Sequence, residues 1–150
     1  MNSRWAIGIA FSVFCVFTAP AHAVVQLDPG EWQDTETGTE DGKPMKPEVT
    51  TSCMTAEEAK DVIKVLTQLQ EGPGRKCKTM HVQDKGSSLS FDMECGDAKT
   101  VLIAVALAIT FVNSRHYTGT IKSNVAYGGK TVTSDKQLDS RWVGATCKKQ

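Results

Sequence analysis

This 150-residue chain carries almost no net charge, because 17 Lys and Arg residues balance 17 Asp and Glu residues. It also has no cluster of basic residues. Nucleic-acid-binding domains and electrostatic membrane-surface binders both depend on such a cluster. The composition therefore argues against nucleic acid as a partner and against attachment to a membrane by surface charge.

Catalytic motifs are missing as well. No G-x-S-x-G occurs, and beyond residue 23 the histidines are His81 and His116, both in predicted strands. Nucleophilic catalysis needs a Ser or Cys beside a His and an orienting acid, and no such constellation is present in the sequence. Asp92 and Glu94 lie two residues apart on one strand face, where a solvated surface explains acidic residues better than paired catalytic carboxylates. We expect a non-enzymatic protein that uses no cofactor.

A metal centre also lacks its usual signature. There is no C-x-x-C, and gaps of 24, 18 and 52 positions separate Cys53, Cys77, Cys95 and Cys147, which match no common zinc spacing. Side chains of the type that bind copper are present but scattered: Met45, Met54, Met80, His81, Met93 and His116. Methionines more often fill gaps in cores, so we expect no metal site.

The first 23 residues have the pattern of a signal peptide. Arg4 precedes an apolar run over residues 7–17, and Ala21-His22-Ala23 is an A-x-A cleavage site. The run is shorter than the roughly 20 apolar residues that a transmembrane helix needs, although an uncleaved anchor is the alternative. We expect cleavage between residues 23 and 24, which leaves a single domain over residues 24–150. We also expect no stable membrane span and a periplasmic or secreted location.

Four cysteines remain beyond residue 23, and an even number in an exported chain predicts disulfide bonds. Their spacing alone leaves three connectivities open. Residues 77–95 predict a hairpin with a turn at residues 84–87. Two pairing registers compete. One places Cys77 opposite Cys95, and the other follows from a two-residue Lys85-Gly86 turn and gives a uniformly apolar face. One bulge near residues 92–93 would reconcile the two registers. We therefore predict the pairs Cys77–Cys95 and, by elimination, Cys53–Cys147.

One amphipathic helix is predicted over residues 56–70. Thr55 and Glu58 form a capping box at its start, and Gly72-Pro73-Gly74 ends it. Apolar residues recur on one face at helical spacing: Ala59, Val62, Ile63, Leu66 and Leu69. We expect this face to pack on a sheet.

Antiparallel strands are predicted for most of the remaining chain. Residues 101–112 alternate between large and small apolar side chains, and their many β-branched residues favour a buried strand over the alternative, a buried helix. Residues 116–127 also alternate, and Gly128-Gly129 is a hairpin turn. Residues 38–47 hold two Gly and two Pro and are predicted to be a mobile loop. The expected fold is α+β and mostly β: a curved antiparallel meander of about six strands with one helix packed on it.

Several short motifs occur in a characteristic order: Pro29-Gly30-x-Trp32, Cys53-x-Thr55 followed by Glu57-Glu58, Cys77 and Cys95 around a hairpin, Tyr117-Thr118-Gly119-Thr120, and Gly144-x-x-Cys147. Together they resemble a family of small exported proteobacterial proteins catalogued as domain of unknown function 3617. The resemblance implies export, a disulfide-bearing β-rich domain and no assigned activity, and it supplies no catalytic residues. The chain departs from the family in the apolar residues 101–112 and in a shortened Met- and Pro-rich loop.

A sheet with one helix across it encloses an apolar space, which is a natural ligand site if it is hollow. The alternative is that the helix fills this space, because protein interiors normally close-pack. We expect a domain that binds a hydrophobic small molecule or an unidentified protein partner in the cell envelope. A second hypothesis is an inhibitor of a secreted or envelope hydrolase that inserts residues 38–47 into its target.

Overall fold

A computed structural model describes residues 26–68, 77–96 and 101–147 of the chain. The predicted signal peptide lies outside these residues. Within them, eight strands form one antiparallel sheet. The strands are β1 (Gly30–Glu40), β2 (Lys43–Pro44), β3 (Glu48–Met54), β4 (Cys77–Asp84), β5 (Ser88–Gly96), β6 (Val101–Asn113), β7 (His116–Tyr127) and β8 (Lys130–Gly144). The antiparallel, mostly β prediction is confirmed, and the count of about six strands is wrong. None of the helices among the described residues is long and apolar enough to cross a membrane.

The strand order places the first strand beside the last. Strands β4 to β8 follow one another as a meander, β1 pairs with β8, and β2 and β3 both pair with the far side of β1. The sheet edges β3 and β4 are therefore consecutive in the chain. Six strand spacings separate these edges, which is about 29 Å, so the connection of residues 55–76 has to pass from one edge of the sheet to the other.

Strand β6 confirms the prediction from the two-residue alternation. It pairs with β5 and β7 over nearly its full length. Its large side chains Val105, Leu107 and Ile109 are buried, whereas the small Ala106 and Ala108 on the opposite face are exposed. β-branched and large apolar residues suit an interior strand with one buried face, and this strand supplies the centre of the apolar core.

Residues 38–47, predicted to be a mobile loop, instead form an ordered hairpin. Strand β1 continues to Glu40, and β2 returns after the two-residue turn Asp41-Gly42, whose φ angles are 48° and 73°. Positive φ at both positions is the geometry that a tight hairpin requires, and Asp-Gly adopts it readily. Backbone hydrogen bonds to Thr133 hold Asp41 on β8, with the Asp41 N–H donating to the Thr133 carbonyl at 2.8 Å. The Gly and Pro content therefore marked a turn rather than a loop.

The helical connection is broken where one continuous helix over residues 56–70 was expected. A 3-10 turn spans Glu58–Lys60, and α1 (Val62–Gln68) begins after Asp61, whose φ of −138° is not helical. The side chain of Asp61 accepts a hydrogen bond from the Lys64 N–H at 3.0 Å and thus caps α1. Asp61 is a second N-cap six residues after Thr55. Its carboxylate competes with the helix carbonyls for backbone N–H donors, which interrupts the helix. Residues 69 and 70 lie outside the described part.

The predicted capping box is confirmed. The Thr55 N–H donates to a carboxylate oxygen of Glu58 at 2.7 Å, and the Glu58 N–H donates to the Thr55 hydroxyl at 3.2 Å. The backbone hydrogen bond from Thr55 lowers the pKa of Glu58, and the Thr55 hydroxyl lowers it further. The stripe also packs as expected where it is described, since Ala59 is buried and Val62 and Leu66 contact the core.

The hairpin of β4 and β5 contains a bulge, but not at the predicted position. Its pairing begins at Cys77–Cys95, and the register shifts by one residue beyond Met80. His81 and Val82 therefore together oppose the single residue Phe91. The extra residue therefore lies in β4, and the prediction of a bulge near residues 92–93 in β5 is wrong. An unbroken β5 keeps its large side chains on one face: Leu89, Phe91, Met93 and Cys95, all buried. The bulge gives His81 a φ of 53° and leaves Val82 48% exposed.

Both predicted disulfides are present. Cys77 is bonded to Cys95 across the β4–β5 hairpin, and Cys53 is bonded to Cys147. The second bond links the end of β3 to the residues after β8, on opposite sides of β1. The Cys77–Cys95 bond therefore fixes the β4 edge of the sheet. The Cys53–Cys147 bond links β3, at the opposite edge, to the residues that follow β8.

We predict that the two disulfides contribute unequally to stability. Cys53 and Cys147 are 94 positions apart, and Cys77 and Cys95 are 18 apart. Loop-closure entropy predicts a loss of about 5 kcal/mol when the Cys53–Cys147 bond is removed and about 3 kcal/mol when the Cys77–Cys95 bond is removed. Urea unfolding of the double variants Cys53→Ala/Cys147→Ala and Cys77→Ala/Cys95→Ala measures both values. Equal losses, or a larger loss for the hairpin pair, would contradict this account.

Candidate functional site

The inner face of the sheet, defined as the face that carries Trp32, Phe91 and Leu107, has an apolar half and a polar half. Strands β5 and β6 supply buried Leu, Phe, Met, Val and Ile side chains. Strands β1 and β8 place polar side chains on the same face: Asp34, Glu36, Lys136 and Ser140. The side chains of Val62 and Leu66 cover part of the apolar half.

A cavity of about 160 Å³ lies on this face beneath Leu66. We call it the inner cavity. Most of its walls are apolar: Leu66, Phe91, Met93, Val105, Leu107, Tyr117, Ile121 and Leu138. The polar residues Asp34, Glu36 and Thr50 complete the lining on the β1–β3 side. Apolar cavities of roughly 150 Å³ stay dry and admit a molecule the size of benzene, so this space is large enough for a small ligand.

A chain of hydrogen bonds connects Asp34 to the cavity wall. The Ser140 hydroxyl, which is fully buried, donates to one carboxylate oxygen of Asp34, and the Ser52 hydroxyl donates to the other at 3.4 Å. The Tyr117 hydroxyl lies within hydrogen-bonding reach of Ser140. Burial, and secondarily the charge of Asp34, raises the pKa of Tyr117 to about 12, although the hydrogen bond to Ser140 opposes this. Tyr117 is therefore a neutral hydrogen-bond donor rather than a base.

A second acidic residue of the lining is partly neutralised. Glu36 accepts a hydrogen bond from the Lys136 ammonium at 2.7 Å, and their side chains are 28% and 25% exposed. The pair directly adjoins Asp34 along β1. Among the described residues, two carboxylates and one ammonium give this end of the cavity a net negative charge.

Trp32 supports the site from the end of the sheet. Its side chain is 1% exposed, and its ring lies 5.4 Å from that of Tyr117. The indole N–H donates to the carbonyl of Asp28 at 3.0 Å. Asp28 in turn pairs with Arg115, and that hydrogen bond lowers the pKa of Asp28. Trp32 thus fixes the Tyr117 ring by packing and hydrogen bonding to the chain before β1.

The outer face, which carries Asp92, Ala106 and Lys122, has a wider groove of about 620 Å³. Two side-chain pairs span its strands: His81 Nδ1 lies 2.8 Å from an Asp92 oxygen, and Lys122 Nζ lies 3.2 Å from an Asp135 oxygen. The His81 and Asp92 side chains are 74% and 47% exposed. Asp92 and Glu94 therefore lie on a solvated face of the sheet, as expected.

The two histidines do not form a common site. His81 is on the β4 edge, level with Lys122 on β7 through the β5 and β6 pairings. His116 lies six residues from Lys122 along β7, about 20 Å away, where it pairs with Asp139. Hydrogen bonds from Arg141 and then from His116 lower the pKa of Asp139. In the described residues, no three His, Cys, Asp or Glu side chains are grouped closely enough to hold a metal ion.

The sequence did not single out the polar residues of the inner cavity. Ser140 and Asp34 are 106 positions apart, and Lys136 and Glu36 are 100 apart, so only the pairing of β1 with β8 brings them together. A weak signal was available. Trp32, Asp34 and Glu36 alternate along β1, which places two carboxylates on the same side as a buried tryptophan.

The family comparison agrees with the resemblance seen in the motifs. A family model described as "Protein of unknown function (DUF3617)" matches residues 27–147. No curated protein and no solved structure matches the chain.

We predict that Tyr117 ionises late and destabilises the fold when it does. Its pKa of about 12 exceeds its ordinary value of 10.0, so the stabilisation is complete below pH 10 and is lost as the pH rises towards 12, by about 3 kcal/mol in total. Tyrosinate absorbance should show a late step that disappears in Tyr117→Phe and persists in Tyr127→Phe. A late step retained in Tyr117→Phe would refute the assignment.

Proposed function

We propose that this chain, which belongs to the DUF3617 family of proteins of unknown function, is an exported, non-enzymatic domain that binds a small apolar ligand in the cell envelope. The signal-peptide pattern of residues 1–23 and the four disulfide-forming cysteines support export. The inner cavity is the observation that carries the binding proposal.

The lining of the inner cavity is what supports a ligand rather than simple core packing. Protein interiors normally leave few voids larger than a water molecule. Here about 160 Å³ stays open beneath Leu66, among buried side chains such as Phe91 and Leu107. Most ligand sites combine apolar walls with a few polar groups, and Asp34 and Glu36 supply such groups at one end.

We further propose that the 3-10 turn and α1 act together as an amphipathic cover over the cavity. Val62 and Leu66 contact the core, whereas Lys60 and Lys64 are exposed. Ala59, Val62 and Leu66 are the core-packing side chains among the described residues of this connection, and a shift of this segment would admit a ligand.

Benzene tests the proposal because its size suits the cavity. At about ten times its dissociation constant, benzene should raise the melting temperature of the mature protein, residues 24–150, by roughly 5 °C. Val105→Phe places a ring inside the cavity and should abolish the rise, because Val105 lines the cavity. Val143→Phe makes the same change at a 55% exposed position and should leave the rise intact.

Two results would reject this function. Either benzene leaves the melting temperature of the parent protein unchanged at saturation, or Val105→Phe and Val143→Phe respond to it equally. Mass spectrometry of organic extracts of the protein purified from the envelope is the complementary measurement, since a natural apolar ligand should co-purify.

A second function, inhibition of a secreted or envelope hydrolase, is favoured by the hairpin of β1 and β2. Its turn, Asp41-Gly42, is exposed, and a Cβ atom on Gly42 would meet nothing within 4 Å. The carboxylate of Asp41 also accepts a hydrogen bond from the Thr133 N–H at 2.8 Å, which fixes the turn. A rigid exposed hairpin binds with little loss of conformational entropy, as an inserted inhibitory element requires.

Lysozyme is a suitable test enzyme for this second function. The parent chain should slow cell-wall hydrolysis, and the double variant Glu40→Lys/Lys43→Glu, which exchanges the two charges beside the turn, should lose that effect. Lys130→Glu, a charge reversal in the other exposed hairpin, is the control. If the parent chain leaves lysozyme fully active, inhibition of this enzyme class is rejected.

A further inference from the structure

The charges around the inner cavity are unequally distributed. Carboxylates of Asp34 and Glu36 line it, and among the described residues of its lining there is no Lys, Arg or His. The nearby Lys136 directs its ammonium to Glu36 rather than to Asp34. The polar end of the cavity therefore presents acceptors, and in the described part of the wall no basic residue balances its charge.

Two hydroxyl groups position the Asp34 carboxylate. Ser140 and Ser52 both donate to it, and each hydroxyl is neutral, so neither brings a positive charge to this end of the cavity. A carboxylate with two hydroxyl donors retains further lone pairs for a ligand. Partial burial strengthens its attraction for a cation relative to the same pair in water.

Size and chemistry together define the ligand class. The apolar walls enclose about 160 Å³, enough for one ring or a short alkyl segment, and the acidic residues stand at one end of this space. We propose that the inner cavity selects small amphipathic cations, with the apolar body among Phe91, Leu107 and Ile121 and an ammonium group beside Asp34. This inference rests on the proposed function, because it requires that the cavity admit an apolar body at all.

Three probes of similar size separate charge from shape. Benzylamine is a cation at neutral pH, ethylbenzene is its neutral isostere, and benzoate carries the opposite charge. Calorimetry on the mature protein should give at least a tenfold tighter dissociation constant for benzylamine than for benzoate. Ethylbenzene should bind too, because the walls are apolar.

Variants of the acidic end test the role of the charges. Asp34→Asn can still accept the Ser140 hydrogen bond, so it should weaken benzylamine roughly tenfold and leave ethylbenzene unchanged. Lys136→Met removes the partner of Glu36 and should tighten benzylamine, a gain that a general loss of structure would not produce. Asp135→Asn removes a carboxylate on the outer face, where it pairs with Lys122, and should change neither ligand.

The outcomes distinguish the two proposals. If ethylbenzene binds but benzylamine binds no better than benzoate, or if Asp34→Asn weakens both benzylamine and ethylbenzene alike, selection for a cation is overturned while the cavity remains a ligand site. If none of the probes binds, selection for a cation is overturned, and the proposed function fails as well if benzene leaves the melting temperature unchanged.

Discussion

The connection between β3 and β4 is the constraint on which the rest of the structure depends. These strands are the two edges of the sheet, six strand spacings or some 29 Å apart, so the connection joins opposite edges. The residues of this connection supply the described helical cover of the apolar face, through Ala59, Val62 and Leu66. In the described part of the connection this cover consists of one 3-10 turn and a seven-residue helix. The inner cavity lies beneath the Leu66 side chain of that helix.

The polar half of the inner face shows how the sheet tolerates acids next to its core. Burying a carboxylate is costly unless hydrogen bonds compensate for lost water. Asp34 receives two hydroxyl donors, Glu36 receives the Lys136 ammonium, and no buried side-chain nitrogen or oxygen in the described residues lacks a partner. Among the described residues that line the cavity, Asp34 and Glu36 are the charged ones. The same arrangement therefore stabilises the sheet and gives the proposed site its charge.

Local patterns in the sequence predicted the features that depend on neighbouring residues. The alternation of residues 101–112, the Thr55–Glu58 capping box and the Gly128-Gly129 turn were all read correctly, as were both disulfides. The errors arose where two local signals compete: Asp61 caps a second helix inside one amphipathic stripe, and residues 38–47 combine turn formers with a strand. The bulge at His81 and the Asp34–Ser140 contact depend on strand pairing, and in the second case the partners are 106 positions apart. Periodicity carries no information about such distant pairs.

The central claim is that the inner face contains an unfilled apolar cavity. Diffraction from a crystal of residues 24–150 under xenon pressure tests it most directly. Xenon enters apolar cavities of this size without requiring a particular headgroup. We expect anomalous density from xenon between Leu66, Phe91 and Leu107. The same density should be absent in the Val105→Phe variant. Side chains from α1 that fill this space, with no xenon bound, would contradict it.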